Sequence, residues 1–105
     1  MLQTPASFAA IDASLAGNTT VVAAFPGKRI LVIKYSLVCA AAVTIQWRSS
    51  GGSNLSGPMS YAANGGISEP LCEMGIMVTV VGEGLLINLG GAVAVGGMLT
   101  FIVIG

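Results

Sequence analysis

Apolar and polar positions alternate along this chain in short runs, separated about every eight to twelve residues by clusters of Gly, Pro, Asn and Ser. That punctuation predicts an all-β fold, because side chains on a strand alternate between two faces and tight turns need Gly, Pro or Asn. Residues 19–25 (TTVVAAF) run to Pro26-Gly27. Residues 28–39 (KRILVIKYSLVC) follow as the longest predicted strand, with Leu31, Ile33, Tyr35, Leu37 and Cys39 on its expected core face and Lys28, Lys34 and Ser36 on the other. Residues 43–48 alternate most cleanly, with Val43, Ile45 and Trp47 opposite Thr44, Gln46 and Arg48. After a Gly and Ser rich loop, residues 59–63 form a short segment closed by Asn64-Gly65-Gly66, a tight-turn signal. Residues 67–72 predict an edge strand interrupted by Pro70, which cannot donate to a ladder. Residues 76–81, 85–89, 92–95 and 98–104 bring the expectation to about eight short strands in a single antiparallel β-sandwich domain. No helix of ordinary length fits. Residues 1–14 are expected to form an N-terminal arm or short edge strand, and residues 15–105 the sandwich.

The segment 98–104 (MLTFIVI) departs from simple alternation. Leu99, Phe101 and Val103 occupy one face, while Met98, Ile102 and Ile104 occupy the other, interrupted only by Thr100. Residues 76–81 (IMVTVV) behave similarly. Apolar residues on both faces predict burial on both, and in a sandwich this small a neighbouring subunit is the expected cover. Met77, Met98, Ile102 and Ile104 are therefore the candidate intersubunit contacts. The doublets Gly51-Gly52 and Gly96-Gly97 read as turns.

Composition sharpens this expectation. Four Lys/Arg and four Asp/Glu are the only charges in 105 residues, and 54% of positions are apolar; mean hydropathy is +0.89. An ordinary domain carries about 25% charged residues. A chain of this length buries only about 60 to 70% of the surface its unfolded form exposes, so part of the apolar remainder must meet a membrane or other protein chains. The best membrane candidate, residues 84–105, has six Gly in 22 positions and no flanking cation, which suits strands and turns better than a spanning helix. A secretory signal is not expected either, since the first Lys is Lys28. Zero net charge gives no pull toward nucleic acid.

Little in the sequence points to chemistry. The chain has no His, which removes the usual general base and zinc ligand. Asp12, Glu69, Glu73 and Glu83 supply neither a ligand-rich loop nor a catalytic pair, so catalytic, cofactor and metal sites are all expected to be absent. Lys28, Arg29, Lys34 and Arg48 are too few for a nucleic-acid footprint. Trp47 reads as a core anchor, with a sugar platform built on Trp47, Tyr35 or Tyr61 as the alternative. Cys39 and Cys72 form no CxxC and are expected as reduced thiols, a disulfide between them being the alternative.

Three segments carry a resemblance. Gly27-Lys28-Arg29-Ile30 opens a strand, residues 55–66 (LSGPMSYAANGG) form a turn segment, and Gly82-Glu83 precedes the strand LLINL. They belong to the stretches 27–50, 55–70 and 81–104, which resemble small virion proteins of tailed bacteriophages of the capsid decoration, or cement, type. Phe101 or Thr100 stands where that pattern would close on a polar residue or Tyr. The resemblance implies a jelly-roll-like sandwich, a homotrimer, and a place on the virion capsid surface. There it would bind neighbouring major capsid subunits after assembly in a host cytoplasm, with no membrane, nucleic-acid or small-molecule partner. A carbohydrate-binding or host-attachment module of a virion or tail is the alternative reading, and a small membrane protein the next.

Overall fold

The computed structural model describes residues 6–72 and 74–105, and these contain no helix. Residues 1–5 of the expected arm, and Glu73, lie outside the described residues. Nine strands appear: β1 (Ser7–Ala13), β2 (Gly17–Val22), β3 (Arg29–Cys39), β4 (Val43–Ser49), β5 (Met59–Tyr61), β6 (Gly66–Glu69), β7 (Met77–Val78), β8 (Leu85–Leu89) and β9 (Val95–Ile104). They form two antiparallel sheets packed face to face. One runs β1-β9-β3-β6, with β7 also on β3; the other runs β2-β8-β4-β5. Pairs therefore nest outward along the chain: β4 with β5, β3 with β6, β2 with β8, and β1 with β9.

The core lies between the sheets. Ile11, Tyr35, Leu37, Leu99 and Phe101 from one sheet meet Ile45, Trp47, Ile87 and Leu89 from the other. Tyr35 and Trp47 meet nearly edge to face, with ring centroids 5.3 Å apart and planes at 67°, a geometry that sets the positive ring edge against the negative face. The alternation of Val43, Ile45 and Trp47 is a direct consequence of this packing.

Three sequence expectations change. First, the alternation of β3 reverses at a bulge before Tyr35, although Ile33 is fully buried as expected. The β3–β9 register shifts between Val32 and Lys34, so one extra residue enters β3 and Ile30 and Val32 join the core instead of Leu31. A bulge of this kind reverses the facing of every residue beyond it. Second, Gly96-Gly97 is not a turn; both residues lie inside β9. A Cβ on Gly97 would collide with the Ser36 carbonyl oxygen of β3, so glycine permits a close backbone approach rather than a reversal. Third, two expected strands shrink: of 92–95 only Val95 is extended, as the first residue of β9, and of 76–81 only Met77–Val78 forms a strand, with Val80 and Val81 exposed.

Polar groups fasten the strand ends. The buried Thr79 hydroxyl accepts from the Ile30 amide at 3.0 Å. Glu83 Oε1 accepts from the Ser49 hydroxyl at 2.6 Å and from the Gly51 amide at 2.7 Å. The Ser49 hydroxyl in turn accepts from the Val80 amide at 3.1 Å, so one carboxylate ties the turn before β8 to the end of β4. The Ser49 hydrogen bond, followed by that of Gly51, holds the Glu83 carboxyl below the usual carboxylate range. A carboxyl whose folded pKa is lowered contributes stability above its unfolded pKa and loses it as pH falls through the folded value. Melting temperature is accordingly expected to fall as pH drops below about 5, and Glu83→Gln to flatten part of that fall. Equal pH profiles for the two proteins in thermal melts would show that the carboxylate does not carry it.

Candidate interaction surface

The two outer faces of the sandwich differ in chemistry. Outward positions of the β2-β8-β4-β5 sheet carry Asn18, Thr20, Asn88, Thr44, Gln46, Arg48 and Ser60, because their neighbours Ile45, Trp47, Ile87 and Leu89 point into the core. Leu86 is the one large apolar side chain among them, nearly buried between Thr20 and Arg48. Most of these polar groups partner one another and nearby backbone. Asn88 Nδ2 donates to Asn18 Oδ1 at 2.8 Å, Gln46 Nε2 to the Ser56 carbonyl at 3.0 Å, and Arg48 Nη2 to the Gly52 carbonyl at 3.0 Å. Such a face is suited to water.

The outer face of the β1-β9-β3-β6 sheet is not. Cross-strand register arranges it in three rows: Phe8, Thr100 and Lys34; then Ala10, Met98, Ser36 and Ser68; then Asp12, Gly96, Val38 and Gly66. Phe8 is 73% exposed, Val38 59% and Met98 55%. Between the projecting side chains the floor is nearly bare backbone. A shallow trough of about 380 Å³ is lined by Ser36, Gly66, Ser68, Gly96 and Gly97, with Val38 at its side. Large apolar groups beside a floor of small residues give a surface that water solvates poorly and a close-packed protein surface can fill.

The same face is closed at its other end by its own chain. Ile102 pairs across β9–β3 with Leu31, and the backbone at Gly75 lies against the Leu31 side chain. Ile102 is 7% exposed. Of the four candidate contacts, then, Met98 stands open, Ile104 is half-buried, and Met77 is half-buried against the core cluster. Ile102 has almost no free surface. Phe8 and Val38, which the sequence reading passed over, join Met98 on the open part. Their signal was alternation: Phe8, Ala10 and Asp12 occupy one side of β1, and Ile11 and Ala13 the buried other side.

The remaining candidates are dispersed. Trp47 and Tyr35 are buried and Tyr61 is half-buried against the core, so none of the three presents an open ring face. Burial raises the pKa of both Tyr35 and Tyr61 above the usual phenol range. Lys34 and Arg48 occupy outer faces on opposite sides of the sandwich, while Lys28 and Arg29 are exposed where β3 begins. Asp12 lies on the open face, Glu69 is opposite Tyr35 in the β3–β6 pair, and Glu83 is engaged in the tie described above. Among the described residues no group of three or more His, Cys, Asp or Glu gathers. Both cysteines are free thiols; Cys39 is buried, with its Sγ donating to the Gly65 carbonyl at 3.2 Å, and Cys72 is exposed. Among the described residues no helix is long and apolar enough to cross a membrane. Comparison with protein-family models, with curated proteins and with solved structures finds no match.

Proposed function

We propose that this chain is a structural, non-enzymatic virion protein of the capsid decoration type. It would act by burying its open sheet face against protein, holding neighbouring major capsid subunits together. The observation that carries this reading is the contrast between the two outer faces: mostly polar and hydrogen-bonded to one another on one sheet, and on the other Phe8, Val38 and Met98 standing exposed above a floor of small residues, with Asp12 and Lys34 beside them. Two further features support it. The nested strand order is the winding that a jelly-roll requires, since a long hairpin rolled on itself pairs its first strand with its last. The residues behind the resemblance also sit where backbone geometry is demanding: Gly27 has φ 72°, Asn64 φ 61° and Gly82 φ 79°, the left-handed region that favours Gly and Asn.

The capsid location, and the three copies that would gather where the protein docks on a shell, come from the resemblance. Contacts spread over several shell subunits act multivalently, so weak individual contacts hold firmly together. Shells lacking the protein are expected to break at lower temperature, with wild-type protein restoring resistance and Met98→Lys restoring much less. Unchanged breakage temperature on adding wild-type protein, read by release of packaged nucleic acid, overturns this function.

A further inference from the structure

We infer that in the free protein the open face is occupied by a second copy of the same chain, related by a two-fold axis that passes through Met98 and pairs Asp12 of each copy with Lys34 of the other. This rests on the proposed function only in taking that face as an interface; it needs no shell. The register supplies the geometry. Asp12 pairs with Gly96 and Lys34 with Thr100, while Met98 lies between those two rows on the intervening strand. The two charges are therefore two strands apart and two rows apart, with Met98 at the midpoint of the line joining them. Both are exposed.

For two copies placed face to face, a two-fold axis lying in the interface and perpendicular to that line exchanges the two charges. Each Asp12 then faces the partner's Lys34, twice over, as an isologous contact requires. Same-face residues are about 6.8 Å apart along a strand and strands about 4.8 Å apart. On that grid the operation sets the two Met98 side chains against each other and brings the partner's Val38 to the trough between Ser36, Ser68 and Gly66. The strands of the two copies cross steeply, close to the orthogonal class of sheet packing. One operation thus matches the two charges on these rows and places a projecting apolar group in a hollow. Methionine suits a position on the axis, because its flexible thioether adapts to its own copy. A shell would compete for this face, so docking on a shell would require the pair to separate.

The test is charge reversal in the full chain, read by sedimentation equilibrium with a thermal melt of each variant. Wild type is expected to hold an even number of copies. Asp12→Lys and Lys34→Asp alone each set like charges opposite and should weaken pairing at least about tenfold. The double reversal restores it, and so does an equimolar mixture of the two single variants, in which opposite charges meet again. Asp12→Asn and Lys34→Gln, expected to weaken pairing less, take the place of any reversal that melts early. A wild-type monomer, an odd number of copies, or a mixture that stays apart overturns the two-fold pairing. A monomer that still strengthens shells does so while leaving the proposed function intact; an even-numbered protein that leaves shells unchanged does the opposite.

Discussion

Trp47→Ala is expected to lower the melting temperature by roughly 15 to 30 °C. Trp47 is fully buried between the sheets, edge-on to Tyr35, within the cluster formed by both sheets. Truncating a buried Trp costs about 3 to 5 kcal/mol, part transfer and part cavity. In a domain of about 100 residues each kcal/mol moves the midpoint by about 4 to 8 °C. Total stability of such a domain is only about 5 to 15 kcal/mol, so the variant approaches the threshold of folding. Far-UV circular dichroism should follow the melt, because this is the chain's single Trp and the tryptophan emission disappears with it. Trp47→Phe should cost less than half as much. Among the described residues the indole Nε1 is buried without a hydrogen-bond acceptor, and Phe keeps most of the ring while removing that unmet donor. A Phe variant as unstable as the Ala variant would refute this account of the site.

Gly97→Val should be nearly as damaging, whereas Gly96→Ala should be almost silent. A Cβ at Gly97 meets the Ser36 carbonyl and, at 2.7 Å, the Leu37 Cα, both backbone atoms of the central strand β3. No rotamer relieves such a clash, so β9 and β3 must separate locally, at a cost of about 3 kcal/mol or more. At Gly96 the nearest such atom is the Ile11 carbonyl oxygen at 4.0 Å, and the φ there is not in the left-handed region. Alanine at Gly96 is expected to shift stability by less than about 1 kcal/mol. Urea melts of both variants check the contrast; equal midpoints would mean that strand approach is not limiting.

That glycine pair also marks what could and could not be seen in the chain. Strands β4 and β8, and the core placement of Trp47, follow from alternation and a local run of apolar residues. The roles of Gly96 and Gly97 depend on how near β3 passes, which no neighbouring residue encodes. The bulge in β3 is similar: Ile30, Leu31, Val32 and Ile33 are all apolar, so a one-residue slip leaves the pattern unchanged. Apolar residues on both sides of β9 predicted a second contact surface, and Met98 lies on one. Ile102 does not, because backbone from a distant turn reaches its cross-strand neighbour Leu31. Phe8 was legible only if residues 7–13 were read as an alternating strand, yet Ala at three of those positions weakens the contrast on which that reading depends.

The nested strand order bears on how the chain folds. Its innermost pair joins Ile45 to Met59, 14 residues apart (59 minus 45), while its outermost joins Ser7 to Phe101, 94 apart (101 minus 7). Closing the larger loop alone costs about 1.7 kcal/mol more in chain entropy than closing the smaller. Folds dominated by such distant pairings fold slowly, in milliseconds to seconds. Until β9 arrives, β1 has no partner and one edge of β3 carries unpaired backbone. During synthesis the nascent chain would therefore present an open β edge before the strand that covers it has left the ribosome, when identical chains on the same message are near enough to pair with it instead.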